Sequence, residues 1–165
     1  MIYFLISLFL DMLLSNILPN TYQNLTYFFP LILLTALPIS YLLIRNNKIF
    51  FPLVILTGLL YDVLYSDIFL INTYYFILVM LFLYVFYKNK TPSIFNIIFI
   101  TLSIIIFYDI YLFFTLILLK YAVFEIEYLL YKIIRTIPLN LLYLIFSLLV
   151  LKSRIFSAKN KFLKF

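Results

Sequence analysis

The stretch that decides the fold is "FPLVILTGLLYDVLYSDIFLIN", residues 51–72. Within it Gly58 is the only glycine of 165 residues, and Asp62 follows four positions later in an otherwise apolar run. Four residues are about one helical turn, so a helix here stacks the glycine and the carboxylate on one face. A carboxylate in the middle of a membrane span costs about 2.5 to 3.5 kcal/mol on insertion scales, which calls for a partner or a purpose. The pair reads as a contact: glycine lets a second helix come close, and aspartate locks it in place.

The rest of the chain has the same character. Hydrophobic residues make up 67% and charged residues 11%, with a mean hydropathy of +1.20, well outside the range of soluble domains. An all-α integral membrane protein is expected. The N-terminal "MIYFLISLFLDMLLSNIL" lacks a basic leader and a small-residue cleavage site and carries Asp11 in its middle, so it reads as a retained first span. With no cysteine and no histidine, the chain has no thiolate or imidazole for metal binding and no imidazole base. No cofactor, metal or catalytic residue is expected. The net charge of +6 does not point to nucleic acid, because the basic residues gather in short connections and the tail.

Six apolar segments can be drawn, about residues 2–18, 25–44, 50–65, 68–87, 92–119 and 133–151, each helical because lipid offers the backbone no hydrogen-bond partner. Residues 1–151 form one transmembrane domain and 152–165 a basic tail. Pro30 and Pro38 are candidates to kink the second segment. Thr91 and Pro92 read as the cap and first residue of the fifth, and Asp67 as the cap of the fourth. Between the last two segments, "KYAVFEIEYLLYK" suits an interfacial helix or an extension of either neighbour. Arg45, Lys48, Lys88, Lys90 and the tail bases from Lys152 to Lys164 all fall on one side of a six-span arrangement. By the positive-inside rule that side is the cytoplasm, and it holds both termini.

Three aspartates lie inside spans: Asp11, Asp62 and Asp109. All three are expected in the outer half of the bilayer, within reach of one another and of Arg135, and an Asp/Arg cluster is the favoured arrangement. Asp62 sits toward the C-terminal end of its helix, where the backbone dipole disfavours an anion, so it needs a proton or a cationic neighbour. Two polar stripes support the same packing logic, Ser7, Asp11 and Ser15 on the first span and Thr136, Asn140, Tyr143 and Ser147 on the last. Plainer readings remain open. Asp62 reaches the interface, Arg135 snorkels to headgroups, and Asp11 and Asp109 only hydrogen-bond between helices.

The Pro-led short span, the G-L-L-x-D element of "TGLLYD", and the polar turn that leads into another span resemble the rod-shape-determining MreD family. Other stretches agree: an aspartate in the first span ("LFLDMLL"), "FFPLILLTALPISYLLIRNNK" as second span and basic loop, and a last span opening "IPLNLLYLIFSLLV". The family usually has a glycine soon after the turn, where this chain has "SDIFLIN". The resemblance implies a bacterial plasma-membrane scaffold or regulator of lateral wall elongation, not an enzyme. It implies partnership with MreC, a RodA-type glycosyltransferase and its class B transpeptidase, and indirectly the actin-like MreB. Carried over by position, the family's sites fall on Asp11, Gly58, Asp62, Pro138 and Asn140; Asp109 and Arg135 are added on physical grounds.

Two other functions compete. The substrate-binding subunit of an energy-coupling-factor vitamin transporter has a similar size and layout, but its docking helix generally carries small-residue motifs, and the first span here offers only serines among bulky residues. A membrane phosphotransferase would need carboxylates around Mg²⁺. The only close pair, Asp62 and Asp67, would face different directions on a helix.

Overall fold

The computed structural model describes residues 1–17, 29–44, 46–65, 68, 70–87, 93–121 and 124–157, with side chains to residue 151. Six helices follow one another: α1 (Ile2–Ile17), α2 (Ile32–Ile44), α3 (Asn47–Tyr65), α4 (Ile71–Tyr87), α5 (Ile94–Leu118) and α6 (Ile126–Ser157), with no strand among the described residues. Three contain stretches long and apolar enough to cross a membrane: Asn47–Leu64, Ile94–Leu118 and Ile126–Leu151. The helices Ile2–Ile17, Ile32–Ile44 and Ile71–Tyr87 are shorter but equally apolar.

The helices pack as consecutive hairpins, α1 on α2, α3 on α4 and α5 on α6. Helix α2 is the hub, touching α1, α3, α5 and α6, and residues 32–40 are buried without interruption. A helix apolar on every side is what such a central position selects. The larger core joins Phe4, Leu34, Leu37, Phe50, Val54, Phe76, Leu83, Ile100 and Ile104, and a smaller one joins Ile39, Ile97, Leu144 and Leu148 where α2, α5 and α6 meet. Outward-facing side chains are Leu, Ile, Val and Phe along every helix described at side-chain level except the buried α2, the surface expected where lipid is the solvent.

Helix ends depart from the sequence expectations in instructive ways. Helix α5 starts at Ile94, with Ser93 as its cap: the Ser93 hydroxyl accepts from the Asn96 amide at 3.1 Å. The expected cap Thr91, Pro92 and the expected α4 cap Asp67 lie outside the described residues, as do Arg45, Lys88, Lys90 and the loop "PNTYQN". Helix α5 ends in a left-handed residue, Lys120 (φ 61°), with the Tyr121 amide bonded to the Leu116 carbonyl and the Lys120 amide to that of Ile117. Those two bonds are the Schellman pattern that satisfies the last free carbonyls. Within "KYAVFEIEYLLYK", residues 126–132 are an extension of α6. That helix runs 32 residues, roughly 48 Å, past the Pro138 inside it.

Candidate functional site: a buried polar layer

Helix starts expose amide groups with no partner of their own, and in an apolar bundle each must find one. At α4 they find Asp62. One carboxylate oxygen accepts from the Asn72 amide at 2.7 Å; the other accepts from the Thr73 amide at 2.9 Å and the Thr73 hydroxyl at 2.5 Å. These are the second and third amides of α4, the two an ordinary capping side chain would take. The cap is supplied by the preceding helix instead. The site is closed further by Tyr108, whose hydroxyl bonds Asn72 Oδ1 at 2.7 Å, and by Tyr111, whose hydroxyl donates to the Ile71 carbonyl at 3.0 Å. The Tyr75 hydroxyl in turn donates to the Ile104 carbonyl.

Gly58 makes that geometry possible. A Cβ placed on it would lie 2.8 Å from the Thr73 Cα and 3.4 Å from the Phe76 Cβ, so α3 and α4 touch backbone to backbone one turn below the carboxylate. This corrects the expectation for Asp62. The partner the structure gives it is not a cation but the positive start of α4, whose amides its oxygens accept. At 2% exposure it is buried inside the bundle.

The start of α2 is built on the same principle with two side-chain acceptors. Asp11 Oδ1 accepts from the Ile32 amide at 2.6 Å, and Asn140 Oδ1 accepts from the Leu31 amide at 2.8 Å and the Thr35 hydroxyl at 3.2 Å. Asn140 Nδ2 donates back to the carbonyls of Phe29 and Thr136. Helices α1 and α6 thus grip the first turn of α2 from two sides. Farther along the same seam the Ser7 and Tyr143 hydroxyls meet at 2.7 Å. Ser7, Asp11, Thr136, Asn140 and Ser147 are all buried, as the two polar stripes require, while Ser15 is half-buried.

Asp109 differs. It is 1% exposed, its only charged neighbour among the described residues is Lys132 Nζ at 3.5 Å, and neither carboxylate oxygen has a hydrogen-bond partner. The other Asp11 oxygen, Oδ2, is also buried without one. The three acids therefore sit on three different helices, each with its own partners: Asp11 on the start of α2, Asp62 on the start of α4 and Asp109 beside Lys132.

The cation among them is not the expected one. Arg135 is directed to Tyr131, donating to its hydroxyl at 2.7 Å with the guanidinium carbon 5.0 Å from the ring centroid. The reason is register: Lys132, Thr136 and Asn140 recur every four residues and face inward, which turns Arg135 toward the outside of the bundle. Pro138 is likewise exposed and takes no part in the layer. The inward stripe on α6 therefore begins one turn earlier than the sequence reading placed it. Extending it by four residues from Thr136 would have reached Lys132. Asn72 and Thr73, missed as well, carried no signal beyond being polar at a helix start.

Among the described residues no group of three or more acidic side chains is placed to hold a metal ion. The chain matches no protein-family model, no curated protein and no solved structure.

Proposed function

We propose that this chain is a non-enzymatic, multi-pass scaffold of the bacterial plasma membrane, of the MreD type, supporting cell elongation and lateral wall synthesis. In this reading all six helices span the bilayer and both termini are cytoplasmic. The observation that carries the proposal is the Gly58–Asp62 hairpin. The element on which the resemblance rests closes α3 onto α4 through a backbone contact and three hydrogen bonds. Asp11 and Asn140 belong to the equivalent clamp on α2. A second support lies in "SDIFLIN", where the family usually has glycine: Leu70 holds φ 69°, the left-handed region that favours glycine.

Asp11, Asp62 and Asn140 are used in holding helix to helix, and the exterior is left apolar for lipid or for other membrane helices. Such a bundle is suited to organising neighbours in the membrane, among them MreC, the RodA-type glycosyltransferase and its class B transpeptidase, with MreB reached indirectly. The test is co-purification of a tagged copy in mild detergent at native expression, with bound proteins identified by mass spectrometry. Recovery of MreC and the wall synthases, lost on Gly58→Leu, is the expected result. Recovery of transporter ATPases in their place would overturn it and make the chain a vitamin-binding subunit.

A further inference from the structure

Asp109 lies within the long apolar stretch Ile94–Leu118, fully buried, with both carboxylate oxygens lacking a hydrogen bond. A buried carboxylate is costly unless donors meet it, so the donors around Asp109 decide which of its forms the site suits. Helix α5 packs against α2, α4 and α6. The groups that bear on Asp109 are Lys132 and Thr136 from α6, Tyr75 from α4, and Tyr108 beside it in the chain. The buried stretch of α2, residues 32–40, holds no titratable side chain.

The hydroxyls among these groups are already committed. Thr136 donates to the Lys132 carbonyl at 2.9 Å, Tyr75 to the Ile104 carbonyl, and the Tyr108 hydroxyl is bonded to Asn72 Oδ1 at 2.7 Å. A carbonyl can only accept, so the Thr136 and Tyr75 protons are fixed and their oxygens offer a neighbour only lone pairs. Lys132 faces Asp109 at 3.5 Å, an ion pair without a hydrogen bond. Asp62 shows the opposite environment, with three donors on its oxygens. Donors suit a carboxylate, whereas lone pairs suit a carboxylic acid, which brings its own O–H. A metal ion does not fit the same position, because the lysine already balances the one charge and no group of three acids converges among the described residues.

We propose that Asp109 is a proton-binding site, alternating between a carboxylate paired with Lys132 and a neutral acid whose O–H donates to the Thr136 hydroxyl oxygen. The proton is taken from bulk water and returned to it; one O–H bond forms or breaks, and Lys132 stays protonated throughout. Proton occupancy then sets the charge pairing between α5 and α6. This inference does not rest on the scaffold reading.

Infrared spectroscopy of the full chain in an ester-free detergent tests it, because the carbonyl stretch of a protonated carboxyl stands apart from carboxylate and amide bands. The band should grow as the pH is lowered from about 8 to about 5, a range over which an exposed aspartate stays ionised. It should vanish in Asp109→Asn, persist in Asp11→Asn, and change frequency in Thr136→Val, which removes the acceptor. Lys132→Met, which removes the cation favouring the ionised form, should strengthen it roughly twofold or more at neutral pH. That variant leaves Asp109 in place, so the proposal stays testable if Asp109→Asn does not fold. A parent without the band at about pH 5, a band lost in Asp11→Asn and kept in Asp109→Asn, or a Lys132→Met band no stronger than the parent's would overturn the site. The stability lost in Lys132→Met should also shrink as the pH falls, since the folded variant takes up a proton that the unfolded chain does not. A loss that stays the same across that range would overturn the proposal as well.

Discussion

The α3–α4 and α5–α6 hairpins each bury an aspartate against the following helix, yet they hold it by opposite means. Asp62 rests on backbone amides and a hydroxyl, with every bond short. Asp109 rests on one lysine at 3.5 Å and accepts no hydrogen bond. A carboxylate held by a helix start is satisfied by groups the chain cannot mutate away. A carboxylate held by a side chain is satisfied only as long as that side chain stays.

The largest expected effect tests the first half of that contrast. Asp62→Ala strips two amides and a hydroxyl of their acceptor in an apolar interior, and should cost about 4 kcal/mol at roughly 1–3 kcal/mol per orphaned group. Unfolding from mild detergent into sodium dodecyl sulfate, followed by far-ultraviolet circular dichroism, measures it. No second substitution at another side chain should restore the loss. If a distant cationic replacement rescued Asp62→Ala, the amide cap would not be its main role.

Lys132→Met tests the other half and comes next in size. It leaves the buried Asp109 charge alone, which should cost about 3 kcal/mol or more. Here rescue is expected: adding Asp109→Leu removes the charge as well and should bring stability back to within about 1 kcal/mol of the parent, because a buried ion pair is roughly exchangeable for apolar residues. Strictly additive losses in the double variant would show that the two side chains do not act as a pair.

Gly58→Ala sharpens the comparison from the backbone side. Its Cβ would collide with the Thr73 Cα at 2.8 Å, an atom that cannot rotate away, so the hairpin must open. About 2 kcal/mol is expected, the ordinary scale of overpacking, along with weakened protection of the Asn72 and Thr73 amides in hydrogen exchange. An equal stability in Gly58→Ala would mean that α3 and α4 are farther apart than the contact requires.

How much of this was legible in the sequence follows from which interactions are local. The helix count, the approximate limits of α1, α3, α4 and α5 and the Gly58–Asp62 contact could be read, because hydropathy and i, i+4 spacing are properties of neighbouring residues, whereas α2 starts about seven residues later and α6 about seven earlier than hydropathy placed them. The burial of Asp11, Asp109 and Asn140 could be read from the cost of polar groups in lipid. Their partners could not. Asp62 meets α4 through main-chain amides, which every residue carries, so no side chain marked the site. The Asp109 partner was assigned to Arg135 on depth alone, and the α6 register gave it to Lys132.

The smallest effect falls between the two helices of the tighter hairpin. Leu70 directly precedes α4 and holds φ 69°, a conformation that costs a side-chain-bearing residue about 1 kcal/mol or more. It persists because Asp62 grips the amides just beyond it, so the turn is over-determined by the cap. Glycine would remove the steric cost but add roughly 0.5–1 kcal/mol of chain entropy and forgo the packing of a half-buried leucine. Leu70→Gly should therefore stabilise the parent by less than about 1 kcal/mol. In the Asp62→Asn background, where the grip is weakened, the same substitution should help less, since a turn the cap no longer enforces lets Leu70 relax without it. A Leu70→Gly effect identical in both backgrounds would show that the turn keeps its shape without the carboxylate, and that the cap and the turn are separate devices.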